Sequence, residues 1–189
     1  MRFLALILLS AVVFAAEVVA TVERVSDGDT IAVTTEAGEM LKVRLLYVDT
    51  AESRDNGHGK AMAEGKAASE FLAKLLPIGC KVTLRSSRAK LERDRYARTL
   101  AVVWANQDAA IGVAGSPAAV ITVEENVNAA IIRAGWSVYW RKYGGDPDPK
   151  QSANYQDAQA EAKASGTGAW ATIPKWMTDK SNERTAPRR

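Results

Sequence analysis

Residues 18–48 read VVATVERVSDGDTIAVTTEAGEMLKVRLLYV, and this stretch decides the fold of the N-terminal half of the chain. β-Branched and other apolar side chains dominate three short runs, at residues 18–25, 31–35 and 40–48, which is typical of strands. Short polar segments with glycine separate the runs, first Asp-Gly and then Glu-Ala-Gly-Glu, and such segments are typical of tight turns. Three consecutive strands joined by short turns predict a β-meander.

A helix is predicted after this meander, at about residues 60–76, and Pro77 and Gly79 end it. Its apolar side chains recur at spacings of three and four, as in a helix that packs one face on a core. They are Ala67, Ala68, Phe71, Leu72, Leu75 and Leu76. Residues 80–86 (CKVTLRS) and 98–104 (RTLAVVW) again have the pattern of strands. Five strands with a helix between the third and the fourth is the element order of a small β-barrel.

The C-terminal half has two further helix patterns. Asn126 is a good N-cap for a helix that Gly135 ends. Asp148, followed by proline, begins a second helix that extends to about Ala164. Residues 105–122 contain glycine and proline without a helical period, and we interpret them as a long loop or an extended hairpin. We therefore predict a single α+β domain, a five-stranded antiparallel β-barrel with three helices beside it.

Residues 1–16, MRFLALILLSAVVFAA, predict a secretory signal peptide, because Arg2 precedes an apolar run that ends in small residues. An uncleaved membrane anchor is the alternative, but the uncharged run is shorter than the roughly 20 residues that a spanning helix needs. Residues 17–177 would then be the folded domain and residues 178–189 a flexible polar tail. We expect a secreted or periplasmic monomer that does not contact the membrane once the signal is removed.

The composition excludes several kinds of site. The 25 Lys and Arg residues exceed the 22 Asp and Glu residues by a formal charge of only +3, so any anion binding must be local. Cys80 is the single cysteine and His58 the single histidine, which excludes an intramolecular disulfide and a zinc site built from cysteines or several histidines. A metal ion would therefore have oxygen ligands. We expect Cys80 to be a small buried hydrophobe and His58 a solvated loop residue.

Four carboxylates follow predicted strands, Asp27 and Asp29 after the first and Asp49 and Glu52 after the third. The Asp-Gly-Asp turn alone indicates no more than a hairpin. Arg44 changes this interpretation, because it shares strand parity with bulky apolar neighbours and is expected to point toward an apolar face. A buried arginine needs an anionic partner, which either these carboxylates or a substrate phosphate could supply.

Three motifs, SDGDT (26–30), VRLLYVDTAES (43–53) and DRYARTLAVVW (94–104), resemble in order and separation those of the staphylococcal nuclease family. The resemblance extends from about residue 18 to residue 170. It implies an OB-type barrel of five strands with three helices. It also implies a Ca²⁺-dependent nuclease that cleaves the 5′ P–O bond of DNA and RNA and leaves 3′-phosphate ends.

The resemblance implies a metal site at the first two motifs. Asp29 and Asp49 match the family's calcium carboxylates, and Thr50 matches the residue whose backbone carbonyl is the third protein ligand. Asp27 matches a nearby acid that tunes the site. Oxygen ligands suit Ca²⁺ better than Zn²⁺, because Ca²⁺ is a hard ion that accepts flexible geometry.

The resemblance also implies the catalytic groups. Glu52 matches the carboxylate that acts as general base or positions the attacking water, and sequence does not decide between these roles. Arg44 and Arg98 match the two arginines that hold the phosphate and neutralise the charge developing on it. Arg95 and Lys142 are weaker candidates along the expected path of the nucleic acid.

Tyr139 and Tyr143 follow the second helix, where the family places tyrosines that stack on a base, although ordinary packing is an equal alternative. The chain departs from the family pattern at Ala51, where proline is usual, and around Arg98, where Ala97 and Thr99 stand in place of glycines. A further departure is the long stretch 109–122, which we interpret as a lengthened hairpin or, alternatively, as an added wall or partner surface.

The sequence leaves a second class of function open. The chain could be a catalytically inactive OB-type module that binds nucleic acid or protein. Loss of catalysis would be expected to remove Glu52, an arginine or a calcium aspartate first. All six positions are occupied by the matching residue type, which favours an active enzyme.

Overall fold

The computed structural model describes residues 16–55, 59–86, 90–111 and 119–183. Four of the features named above lie wholly or largely outside these ranges. They are the signal-peptide residues 1–15, His58, the centre of the 109–122 stretch at residues 112–118, and the last residues of the tail, 184–189.

The N-terminal meander consists of β1 (Ala16–Asp27), β2 (Thr30–Thr35) and β3 (Met40–Leu45). Its strands pair antiparallel, β1 with β2 and β2 with β3. Two register shifts in β1 show that this strand is bulged where it pairs with β2, which increases its local twist and bends it around the core.

Two later strands close the barrel. β5 (Lys81–Ser86) pairs antiparallel with β1, and β7 (Thr99–Ile111) pairs antiparallel with β5. β7 then pairs with β3 in parallel, which completes a barrel in the order β3-β2-β1-β5-β7. The prediction of an α+β OB-type barrel of five strands is confirmed. The prediction that the barrel is antiparallel throughout is wrong at this one pair, since β3 and β7 run in the same direction.

The third predicted strand, residues 40–48, is divided by a turn at Tyr47. Tyr47 has a left-handed backbone with φ 62°, which a strand cannot continue through. After the turn, β4 (Val48–Thr50) leaves the barrel and pairs antiparallel with β9 (Ser137–Tyr139) in a small second sheet. This sheet places Asp49 beside the barrel rather than within it.

Two other strands extend the edge of the sheet. β6 (Glu92–Arg93) pairs with the start of β7, and β8 (Ala119–Asn126) pairs with the rest of β7 in register from Trp104–Asn126 to Ile111–Ala119. Residues 105–122 therefore form an extended hairpin in their described part, as one of the two alternatives predicted.

Three helices lie close to their predicted positions. They are α1 (Ala63–Leu75), α2 (Val127–Arg133) and α3 (Pro149–Ser165). The side chain of Asn126 caps α2 by accepting the backbone N–H of Ala129, and that of Asp148 caps α3 by accepting the N–H of Lys150. Gly166 ends α3 with a left-handed backbone, φ 58°.

Two short helices in the described part of the chain were not predicted, α4 (Ala169–Thr172) and α5 (Pro174–Asn182). α5 corrects the boundary of the predicted tail, because residues 178–182 are helical. Proline at its first turn favours the helix, and Met177 is fully buried on its inner face.

The core has two parts. The larger one fills the barrel and the contacts of α1, α2 and α3 with it, and the smaller one lies under α4 and α5 around Val138, Trp170 and Met177. Within the residues described, none of the helices has the length and apolar character required to cross a bilayer.

Candidate active site

Arg44 is the centre of a charged cluster at the rim of the barrel. It lies on β3 and is 9 % exposed. Its Nη2 atom is 3.0 Å from Oδ2 of Asp29 and 2.9 Å from Oδ1 of Asp49, and its Nη1 atom donates to the backbone carbonyls of Leu45 (2.7 Å) and Val48 (2.8 Å). One guanidinium thus joins the β1–β2 turn to β4. The structure gives Arg44 the anionic partners that its buried position requires.

The β1–β2 turn fixes Asp29. Its backbone carbonyl accepts the N–H of Leu45, and its Oδ1 atom accepts the hydroxyl of Thr30 at 2.8 Å. A side chain at Gly28 would come within 2.7 Å of the Thr50 hydroxyl and 2.8 Å of the Ala68 Cβ, so the turn packs directly on β4 and α1. Glycine is required here because the turn lies so close to these neighbours.

Asp49 is held by the small second sheet. Its backbone N–H donates to the hydroxyl of Ser137 at 2.9 Å, and its Oδ2 atom lies 2.8 Å from the ammonium of Lys180. Burial raises the pKa of Asp49 above its ordinary value, and the nearby Asp29 adds to this, although Arg44 and Lys180 act in the opposite direction. The effect of burial on the pKa of Asp49 therefore outweighs that of the two cations that contact it.

Thr50 and Asp27 both contact the β1–β2 turn at Gly28. The Thr50 side chain is buried against Gly28, and its backbone pairs with Ser137. Asp27 accepts the N–H of Gly28 at 2.8 Å and the hydroxyl of Ser69 at 3.3 Å. Asp27 therefore ties the turn to α1.

The arrangement of the carboxylates at the rim determines which metal ion could bind there. Among the described residues, no three side chains of His, Cys, Asp or Glu are placed together as a metal site. Asp29 and Asp49 do converge, since both contact the same nitrogen of Arg44. Ca²⁺ accepts carboxylates, backbone carbonyls and water, so two converging carboxylates fit this ion. They suit Zn²⁺ less well, because zinc sites are built mainly from nitrogen and sulfur ligands.

Glu52 lies between β4 and α1, where it is half-buried. Its backbone carbonyl accepts the N–H of Met62, the N-cap residue of α1, at 2.9 Å. A side chain at Gly65 would overlap the backbone of Glu52 and Ala51. The first turn of α1 therefore fixes the backbone that carries Glu52, three positions after Asp49.

Arg98 lies near Arg44 along the pairing of β3 with β7, but its ion-pair partner is Asp94. Arg98 precedes β7 by one residue, and Leu100 of β7 lies opposite Arg44. Its guanidinium contacts Asp94 at 2.7 Å. Partial burial raises the pKa of Asp94, but hydrogen bonds from Arg98 and the backbone lower it below its usual value. Ala97 adopts φ 59° in this turn, a conformation that glycine reaches with less strain.

Arg95 lies over the ring of Tyr96 at 4.8 Å from its centroid, and Tyr96 is exposed. The structure therefore places Arg95 and an aromatic ring together on the surface beside Arg98, whose guanidinium is 5.3 Å from the same ring.

The two predicted stacking tyrosines differ. Tyr139 is 1 % exposed, and its hydroxyl contacts Ser152 and accepts the N–H of Asp146, so the prediction that it stacks on a base is wrong. It packs instead on Tyr155, with ring centroids 5.2 Å apart. Tyr143 is 76 % exposed and remains accessible to a ligand.

A second set of charged residues, which the sequence did not single out, reaches the site from α5. Lys180 contacts Asp49, and Glu183 accepts hydrogen bonds from Trp140 Nε1 (2.9 Å) and Lys142 (2.6 Å). Partial burial raises the pKa of Glu183, but these bonds and the charge of Lys180 lower it to about 2. Lys142 is therefore engaged by Glu183. The spacing of Ile173, Trp176 and Met177 is an apolar helical pattern that would have indicated α5.

Cys80 is half-buried at the start of β5, and burial raises the pKa of its thiol. It is therefore not an activated thiolate.

Comparison with known proteins identifies the family. Residues 42–172 match the family described as "Staphylococcal nuclease homologue", and α5 lies beyond the matched part. A Haemophilus influenzae protein named "Uncharacterized endonuclease" is 30 % identical over 151 residues, 79 % of this chain and 65 % of that protein. This chain thus spans slightly less than two thirds of that relative.

Two further relatives carry nuclease names. A "Micrococcal nuclease" of Shigella flexneri is 31 % identical over 151 residues, 79 % of this chain and 71 % of that protein. A "Thermonuclease" of Staphylococcus intermedius is 42 % identical over 83 residues, 44 % of this chain and 46 % of that protein. The family match covers most of the chain, and the chain therefore belongs to the staphylococcal nuclease family.

Proposed function

We propose that this protein is a Ca²⁺-dependent nuclease that hydrolyses phosphodiester bonds of DNA and RNA, cleaving the 5′ P–O bond. One observation carries the proposal, the buried Arg44 whose guanidinium joins Asp29 and Asp49 at the rim of the barrel. This arrangement concentrates an anion-binding fork and two cation-binding carboxylates in one place. Family membership supports nucleic acid as the substrate.

Asp29, Asp49 and the carbonyl of Thr50 would hold the calcium ion. A bound divalent cation supplies Lewis-acid polarisation of a phosphoryl oxygen and orients the substrate. The carbonyls of Leu45 and Val48 hold Nη1 of Arg44 in place. Nη2 contacts Asp29 and Asp49, and it would exchange a carboxylate contact for a phosphate oxygen.

Arg98 and Glu52 complete the proposed machinery. Arg98 would turn from Asp94 toward the phosphate and neutralise charge as it develops on the equatorial oxygens. Glu52 would accept a proton from the attacking water or hold that water in line, since it lies on a backbone segment fixed by α1.

Calcium should support cleavage of both DNA and RNA, and a chelator should abolish it. The reason is that Asp29 and Asp49 converge at the rim and offer the carboxylate oxygens that Ca²⁺ prefers. Zn²⁺ should not restore activity, because the candidate ligands are oxygens. The measurement is cleavage of labelled DNA and RNA by the purified protein with calcium, with excess chelator, and with zinc added after chelation.

Full cleavage in excess chelator would contradict the calcium assignment. Nucleic-acid binding without cleavage under every metal condition would instead identify an inactive binding module.

Export is also part of the proposal, and β1 bears on where the signal peptide would be cleaved. β1 begins at Ala16 and pairs with β5 from there onward, and Ala20 is buried in the core. Cleavage after Ala20 would remove a paired and buried part of β1, so cleavage near residue 16 suits the fold better.

In a bacterial host, the exported protein should therefore begin at Ala16 or Glu17. The measurement is N-terminal sequencing or intact mass of protein recovered from the periplasm or medium. Recovery of the chain with Met1 intact in the membrane fraction would support the anchor instead.

A further inference from the structure

The last described residues of the chain reach back to the candidate calcium site. We call residues 174–183, which comprise α5 and Glu183, the C-terminal strap. The strap lies beyond the part of the chain that matches the family, yet its Lys180 ammonium is 2.8 Å from Oδ2 of Asp49. Lys180 therefore lies outside the residues that match the family.

The strap is anchored independently of this contact. Met177 is fully buried in the smaller core, where Trp170 and Val138 also lie. At the other end, Glu183 is bound by Trp140 and Lys142. These two anchors hold α5 beside Asp49, and the ion pair between Lys180 and Asp49 adds a third contact.

Lys180 completes the charge balance of the rim. Asp29 and Asp49 contribute two carboxylates, and Arg44 and Lys180 contribute two cations that contact them. Both oxygens of Asp49 are then engaged, Oδ1 by Arg44 and Oδ2 by Lys180. A divalent cation that binds Asp49 must displace one of these partners or share the carboxylate with it, against the repulsion of like charges.

Lys180 is the partner that can leave. Arg44 is buried and also held by two backbone carbonyls. The Lys180 side chain is 31 % exposed, and a cleft of about 340 Å³ beside it is lined by Trp176, Asp179 and Glu183. The ammonium already lies 3.5 Å from Glu183, so an alternative anionic partner is at hand.

We propose that Lys180 is an autoinhibitory counter-ion, whose ammonium occupies Asp49 until a divalent cation displaces it. The C-terminal strap would thereby set the cation concentration at which the site fills. This inference rests on the calcium site proposed above. It adds that the affinity of that site is held down by a residue of the same chain, through direct competition for one carboxylate oxygen.

The test is the affinity of the purified full-length protein for Ca²⁺, measured by isothermal titration calorimetry without nucleic acid. Lys180→Met removes the charge but keeps an aliphatic stem against Trp140 and Trp176. The matched control is Lys175→Met on the same helix, whose side chain is 90 % exposed and pairs with Asp179.

Lys180→Met should bind Ca²⁺ at least about fivefold more tightly than the unmodified protein, the lower end of typical coupling between two ligands of one site. Lys175→Met should bind as the unmodified protein does, because the charge that it loses pairs with Asp179 and not with Asp49. Equal or weaker binding by Lys180→Met would overturn the inference while leaving the calcium site intact. Absence of Ca²⁺ binding in every variant would overturn the calcium site and the inference together.

If the contact of Lys180 with Asp49 weakens Ca²⁺ binding, Ca²⁺ binding must in turn weaken that contact, because thermodynamic linkage is reciprocal. Saturating Ca²⁺ should therefore speed amide hydrogen exchange at residues 178–183 of the unmodified protein, since Lys180 loses its partner Asp49. In Lys180→Met, exchange there should not respond to Ca²⁺. Exchange that is unaffected by Ca²⁺ in the unmodified protein would overturn the inference.

Discussion

Replacing Glu52 with glutamine is expected to lower the single-turnover cleavage rate by about 10² to 10⁴, the usual contribution of a positioned general base. Glutamine keeps the size of the side chain but cannot accept the proton. The backbone of Glu52 stays fixed by Met62 and Gly65, so the substitution should not disturb the fold. Affinity for a non-cleavable nucleotide should change far less than the rate, because Arg44 and the calcium ligands remain.

The matched control for this variant is Glu70→Gln. Glu70 is exposed on α1 and lies 3.9 Å from Lys66, away from the rim. Cleavage rate and nucleotide affinity should be measured side by side on both variants. A Glu52→Gln protein that cleaves at the unmodified rate would remove Glu52 from the mechanism. If the unmodified protein shows no calcium-stimulated cleavage at all, the chain is an inactive binding module.

Replacing Arg44 with lysine is expected to lower turnover by about 10² to 10³, comparable to the loss of one preorganised transition-state donor. Lysine keeps the positive charge but carries it on a single ammonium group. It cannot reproduce two nitrogens that together reach Asp29, Asp49 and two backbone carbonyls. Both the phosphate fork and the convergence of the two aspartates should be weakened.

Stability must be measured together with turnover, because Arg44 is buried. Leaving its backbone acceptors unpaired should reduce the free energy of unfolding by about 1 to 3 kcal/mol. Arg93→Lys is the control, since Arg93 is more than half exposed and pairs with Glu39. A folded Arg44→Lys protein with the unmodified rate would show that Arg44 has a structural role only.

The sequence predicted best those elements whose structure depends on residues close to them in the chain. The caps at Asn126 and Asp148 and the left-handed Gly166 are local signals, and they located α2 and α3 within a residue or two. The turn at Tyr47 carries no such signal, because a tyrosine with φ 62° is held there by tertiary contacts. The division of the third strand was therefore not predictable.

The candidate site shows the same contrast between features with a local sequence signal and features that depend on contacts distant in sequence. The burial of Arg44 followed from strand parity, and the structure supplies its carboxylate partners. Tyr139 was misassigned because the rings that enclose it, Tyr47 and Tyr155, are distant in sequence. Lys180 was placed in a tail because its partner, Asp49, lies far away along the chain. The polar composition of a segment predicts that the segment is exposed. It does not predict which buried carboxylate a lysine of that segment will contact.

The parallel pairing of β3 with β7 has a consequence for the order in which the chain folds. It joins Val43 to Thr99 and Arg44 to Leu100, across a loop that contains α1 and β5. Closing so long a loop costs conformational entropy before its contacts are gained, so contacts of this kind form slowly. The neighbourhood of Arg44 and Arg98 is therefore assembled only when the ends of this loop meet. Recovery of cleavage during refolding should thus lag behind formation of the local β1–β2 hairpin, and a partly folded chain carries no complete site.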